Sequence, residues 1–192
     1  MKLGKLYGAP NRKTWRSWLA THHKTEPEIW LVYNKKSTGK YRISYNDAVE
    51  EALCYGWIDS IAKKVDEKRY AQRFSPRRPT SRLSEMNLQR VRKLIKQKKM
   101  TRAGLSAIAH AFDPSKRNRK EITIAPDILK ALKADKDAWR HFQKFPQSYK
   151  RIRIAYLESQ RTHGKEQYAR ALGHLVKMSS KNKRFGFVKE MR

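Results

Sequence analysis

Between Leu53 and Arg78 the chain reads LCYGWIDSIAKKVDEKRYAQRFSPRR, and six of its side chains have the chemistry to hold a ligand. Arg69, Arg73, Arg77 and Arg78 carry planar guanidinium forks that suit phosphate or carboxylate. Trp57 offers an indole face for stacking. Asp59 can cap a turn, pair with an arginine, or move a proton as a general acid or base. Three readings follow from these residue types. In the first, Trp57, Tyr70 and Phe74 are core, Asp59 caps or pairs, and Arg77 and Arg78 are solvated. In the second, the arginines beside Trp57 bind an anion. In the third, Asp59 serves an enzyme acting on a small substrate. No histidine stands at short spacing from Asp59, so no catalytic residue is assigned.

The elements that must position these residues follow from periodicity. IDSIAKKV and RYAQRFS, joined by DEK, read as two strands of a hairpin. On the second strand Tyr70, Gln72 and Phe74 share one face, and Arg69, Ala71, Arg73 and Ser75 the other. Upstream, Ala48, Val49, Ala52 and Leu53 recur at helical spacing. Ser44 and Asp47 form the start of that helix as a capping-box variant, and Gly56 its stop. Trp15, Trp18 and Leu19 fall at i, i+3, i+4 of a short helix. EIWLVYNKK reads as a strand, paired through the turn STGK with YRISY.

Downstream, SPRRPTSR is a turn region. Ser84 caps a helix carrying Leu88, Val91, Leu94 and Ile95, and a short helix follows with Leu105, Ile108, Ala109 and Phe112 on one face. The polar stretch PSKRNRKE reads as a linker. Beyond it the pattern is helical, through Ile128, Leu129 and Leu132, then Trp139 and Phe142, then Tyr149, Ile152, Tyr156 and Leu157, then Tyr168, Leu172, Leu175 and Val176. The expected fold is α+β: a small, mostly antiparallel sheet with helices over 1–113, a basic linker over 114–124, a helical C-terminal subdomain over 125–179, and a flexible tail over 180–192.

The chain has 192 residues, with Lys+Arg 46 against Asp+Glu 17 and a formal net charge of +29. Such a charge points to a polyanionic partner, nucleic acid or an acidic polymer, or else to a solvated basic surface. From Lys68 to Phe112 the only acidic residue is Glu85. In the helix after Ser84 and just past it, Arg90, Lys93, Lys96, Lys98 and Lys99 surround the apolar stripe and could lie against phosphates. No helix-turn-helix, RNA-recognition or zinc pattern is present, so nucleic-acid binding would be driven by the backbone and weakly sequence-selective.

The single cysteine, Cys54, sits among apolar neighbours and excludes an internal disulfide. His22 and His23 are adjacent and the other histidines scattered, so no metal site is expected. Thr38-Gly39-Lys40 lacks the setting of a phosphate loop. No cofactor is implied. The N-terminal stretch lacks an apolar secretory run and no segment has the length of a membrane span, which leads to the expectation of a cytoplasmic protein.

Several motifs in order carry a family resemblance. Gly56-Trp57-Ile58-Asp59 ends a helix, Gln72-Arg73-Phe74-Ser75-Pro76-Arg77 follows, then a helix entered through a serine-rich step, then GLSAIAHA. Over roughly Asn11 to Met178 the chain resembles the YdeI/OmpD-associated, or bacteriocin-protection, family. Two positions depart from its pattern: Leu83 stands where tryptophan is usual, and Ser60 where glycine is common. The resemblance implies a link to protection against cationic antimicrobial agents and carries no reaction with it. A chain at +29 repels a cationic peptide, so such a link would be indirect. The sequence thus leads to a non-enzymatic protein binding an anionic small molecule at Trp57, Asp59, Arg69, Arg73, Arg77 and Arg78, with nucleic-acid association as the alternative.

Overall fold

Helix α1 (Arg12–His22) starts at Asn11, whose side-chain oxygen accepts from the Thr14 amide. Its spacing places Trp15, Trp18 and Leu19 on one face, and all three are buried. Helix α2 (Tyr45–Cys54) starts at Ser44, which accepts from the Asp47 amide while its own hydroxyl donates to Asp47 Oδ2. This is the capping arrangement that the sequence predicts. Gly56 follows at φ +76, a left-handed conformation that glycine adopts without a Cβ penalty. A Cβ there would also meet Ala107 at 2.5 Å.

These coordinates are a computed structural model that describes residues 2–35, 38, 43–112 and 122–186. Four strands form one mixed sheet in the order β1-β2-β4-β3: β1 (Leu6–Tyr7), β2 (Ile29–Asn34), β3 (Trp57–Lys64) and β4 (Arg69–Pro76). β1 runs parallel to β2, while β2–β4 and β4–β3 are antiparallel. β2 therefore pairs with β4 and β1. Ile43 and Ser44 are not in a strand, and most of the expected STGK turn and YRISY strand lies outside the described residues.

In the register, Ile29, Leu31 and Tyr33 lie opposite Phe74, Gln72 and Tyr70. Helices α1 and α2 cover this face. The Trp15 and Phe74 rings are 5.4 Å apart, and the Trp18 and Trp57 rings meet edge-on at 5.7 Å. Trp15 Nε1 donates to the Ala48 carbonyl and Trp57 Nε1 to the His23 carbonyl, so both indoles are satisfied inside the core.

Helix α3 (Glu85–Lys96) is followed by α4 (Arg102–Ile108), capped by Thr101. The sequence places Leu105 on the buried face of α4, but Leu105 is exposed and Ala109 is exposed as well. Gly104 and Ile108 are the buried positions. The reason is close approach: a Cβ on Gly104 would lie 2.2 Å from the Cys54 carbonyl oxygen, so only glycine lets α4 meet the end of α2. Cys54 is buried and its thiol is pushed up, first of all by burial.

The chain divides into two units, Met1–Leu83 with Arg90–Ser115, and Ser84–Gln89 with Lys116–Arg192. The second contains α5 (Pro126–Ala134), α6 (Lys136–Lys144), α7 (Gln147–Gln160), a 3-10 turn (Arg161–His163) and α8 (Lys165–Ser180). Its core gathers Ile128, Leu132, Phe142, Phe145, Tyr149, Ile152, Leu157 and Leu175. Tyr156, placed by periodicity on the inner stripe of α7, is instead exposed, while Arg153 and Ile154 are buried. Most of the expected linker over 114–124 lies outside the described residues, as does 187–192 of the expected tail over 180–192. The architecture is α+β, as the sequence predicts.

Candidate functional site

The hairpin of β3 and β4 brings the expected residues into one element but sends their side chains to different partners. Arg69 is exposed and pairs with Asp66 at 2.7 Å, three residues away. Arg73 donates through Nε to Glu28 at 2.7 Å, and its Nη2 lies 2.6 Å from the same carboxylate. Trp30, directly opposite Arg73 in the register, also donates to Glu28. Arg78 is exposed. Trp57 is buried as core, with Trp18 against its ring.

Arg77 turns inward. Its main-chain amide donates to the Gly56 carbonyl at 2.9 Å, which fixes the residue beside the turn between α2 and β3. It is 7% exposed. Its Nη2 donates to the Arg82 carbonyl at 2.8 Å. Its Nε and Nη1 find no acceptor among the described residues. Burial lowers the pKa of this guanidinium, and the charge of Asp59 offsets part of the effect.

Asp59 stands two residues after Trp57 on β3, and the strand is irregular immediately after it: Asp59 pairs with Phe74 but Ala62 with Gln72. The extra residue is a bulge, a device that re-aims side chains. Gln72 Nε2 closes it by donating to the Ser60 carbonyl at 2.8 Å. The Tyr45 hydroxyl donates to Asp59 Oδ2 at 2.6 Å. Burial, then the bond to Asp59, pushes the Tyr45 phenol well above its ordinary value. Asp59 is thus neither in full solvent contact nor held by a backbone turn.

Arg90 of α3 completes the cluster. It is 5% exposed, and its Nη2 donates to Asn46 Oδ1 at 2.7 Å. Burial lowers its pKa, while Tyr45, Glu50 and Asp59 act in the opposite direction. Arg90, Asn46, Tyr45 and Asp59 therefore gather where α2 begins and β3 bulges, while Arg77 lies beside the turn that follows α2, within the field of Asp59.

The basic set expected to face phosphates is also divided. Arg90 is internal, and Lys93 lies 2.9 Å from the buried Glu50. Lys96 and Lys98 are exposed and Lys99 is half-buried, its carbonyl accepting from Arg16. Sequence reasoning missed Tyr45 and Asn46. The available signal was the Ser44 cap, which puts both in the first turn of α2. For Arg90 the signal was its place four residues before Leu94, on the apolar stripe itself.

A small mixed sheet roofed by two helices, with a buried arginine–carboxylate–tyrosine cluster at one end of its hairpin, followed by a helical unit, defines an α+β protein with no catalytic constellation assigned. Over residues 7–107 the chain belongs to the family described as Domain of unknown function (DUF8412). Residues 121–182 match the family described as Bacteriocin-protection, YdeI or OmpD-Associated. The family resemblance is thereby shown, on the C-terminal helices; the Gly56–Asp59 and Gln72–Arg77 motifs fall within the first match. No curated protein and no solved structure matches the chain.

Proposed function

We propose that this chain is a non-enzymatic binder of an anionic small molecule, held at the Arg77 end of the β3–β4 hairpin. The observation that carries this reading is the buried Arg77 guanidinium with two N–H groups lacking acceptors. A buried donor without a partner costs about 1–3 kcal/mol, and more when it is charged. An oxyanion recovers that cost with two charge-assisted bonds. Asp59 offsets only part of the effect of burial on Arg77 and itself accepts from Tyr45. Arg78, one residue on and exposed, supplies a further cation for the arriving ligand. Arg69 and Arg73 have carboxylate partners already and contribute field rather than contacts.

The proposed setting is the cytoplasm, where phosphorylated metabolites are abundant. Among the described residues no helix is long and apolar enough to cross a membrane. The description of the C-terminal family names bacteriocin protection. At +29 this chain repels cationic peptides, so any such role is indirect.

Thermal-shift and calorimetric titrations with inorganic phosphate, a nucleoside monophosphate and a short RNA test the reading. Wild type and Arg69→Ala should bind a phosphorylated small molecule alike, while Arg77→Gln should weaken it at least tenfold with the fold intact by circular dichroism. Equal affinity in Arg77→Gln overturns the site. Tight RNA binding with a steep salt dependence and no sensitivity to Arg77 would favour association over the whole basic surface.

A further inference from the structure

We propose that the helical unit carries a second ligand site, separate from Arg77: a pocket for a small organic anion with an apolar body, built by α7, α8 and Phe185 around Arg153. A cavity of about 390 Å³ opens between these elements, and Arg153, Tyr156, Gln167, Arg170, His174 and Phe185 are among its lining residues. Its size is that of small-molecule sites, which combine apolar walls with a few convergent polar groups.

Arg153 is the reason to expect an anion. It is 8% exposed, yet it forms no ion pair with a carboxylate among the described residues. Aromatic rings surround it instead. Its guanidinium carbon lies 4.5 Å from the Phe185 ring centre, and 5.7 Å from those of Tyr149 and Tyr156. Ring faces attract the flat side of a guanidinium. The N–H fork lies in the plane and needs oxygen acceptors, and Nε has none. A carboxylate or phosphate entering edge-on supplies them without displacing the rings.

The pocket's far wall is held in place by the backbone. The Phe185 amide donates to the Tyr149 hydroxyl at 3.4 Å, and the Phe185 ring meets His174 edge-on at 4.5 Å. Gly186 follows at φ +73, and a Cβ there would come within 2.9 Å of Arg153 Nη2. Glycine therefore lets the chain cross the guanidinium at close range. The apolar surface of Tyr156, Leu157, Ala171, Leu175 and Phe185 receives the ligand's body. Arg170 stands exposed at the mouth, with Glu166 at 3.2 Å, where it can steer an anion inward.

The test uses the full chain, ¹⁵N-labelled, with phenylacetate, phenyl phosphate and the neutral benzyl alcohol as probes. Both anions should shift the amides of 153–160, 167–175 and 185, and benzyl alcohol should bind at least tenfold more weakly. The ratio of the two anions identifies carboxylate or phosphate as the preferred head. Arg153→Gln should abolish the shifts, and Arg77→Gln should leave them unchanged. Should Arg153→Gln lose its fold, Ala171→Trp, which fills the cavity from α8, must abolish binding in its place. Equal affinity for the alcohol, or shifts confined to other residues, overturns the proposal.

Discussion

Two groups of arginines sit in the sheet-containing unit, one half-buried and one buried, and they are partnered differently. At the α1–α2 contact, Arg12 bonds to Glu51 and to Asp47, and lies 3.0 Å from Glu50; Arg16 lies 2.6 Å from Glu51. Burial alone would lower the pKa of Arg12, but the hydrogen bonds and charges of Glu51 and Glu50 overturn it and raise it. At the end of the hairpin, burial prevails: the Arg77 pKa is lowered, and two of its donors find no acceptor among the described residues. In the first group both arginines have carboxylate partners, although Arg12 Nη2 finds no acceptor among the described residues. An ion cluster that joins two helices has its partners inside the protein, whereas a guanidinium buried with fewer partners is retained at a cost that the proposed anion would offset.

The largest effect expected from this difference is at Glu51, which is 2% exposed. Glu51→Gln leaves Arg12 and Arg16 without their shared carboxylate and should destabilise the fold by about 1.5–3 kcal/mol, the range for loss of a hydrogen bond to a charged group. Urea denaturation measures it. Arg77→Met, by contrast, removes an incompletely paired charge and keeps most of the volume. Its cost should stay within about 1 kcal/mol, with a gain in stability as the alternative result, because apolar replacement of buried charge is often neutral or better. A cost for Arg77→Met equal to that of Glu51→Gln would make Arg77 a structural residue and erase the distinction.

Contacts close in sequence were legible, and contacts across the fold were not. The Ser44 cap, the Trp15–Trp18–Leu19 stripe and the β3–β4 hairpin follow from spacings of two to four residues, and they form as expected. Arg69 with Asp66 is as local, three residues apart, yet residue type alone assigns Arg69 to a ligand instead. Arg73 is different: its partner Glu28 is 45 residues away and arrives only because β2 pairs with β4. No local pattern announces that pairing. Arg90 was legible in principle, since it lies on the apolar stripe of α3, but a basic helix invites the assumption that every cation faces water. Leu105 failed for a related reason. Periodicity ranks side chains by hydropathy, and it cannot see that Gly104 must take the inner position for two helices to touch.

The smallest effect concerns the pair that withdraws Arg73 from ligand contact. Glu28 and Arg73 are about a quarter exposed, so solvent screens them and their contribution to stability should be below about 1 kcal/mol. The hydrogen bond from Arg73, then that from Trp30, lowers the Glu28 pKa below its ordinary 4.5. A carboxylate depressed in the folded state stabilises above its unfolded pKa, and that contribution fades as pH falls through the folded one. Wild type should therefore exceed Glu28→Gln in urea midpoint at neutral pH, and the gap should close as the solution is taken below about pH 4.5. A gap that persists unchanged in acid would mean that Glu28 acts through packing. Freeing Arg73 in Glu28→Gln also probes the hairpin itself: if Arg77 holds the ligand, releasing Arg73, four residues earlier in the chain, should leave anion affinity within about twofold, and a larger rise would bring Arg73 back into the site.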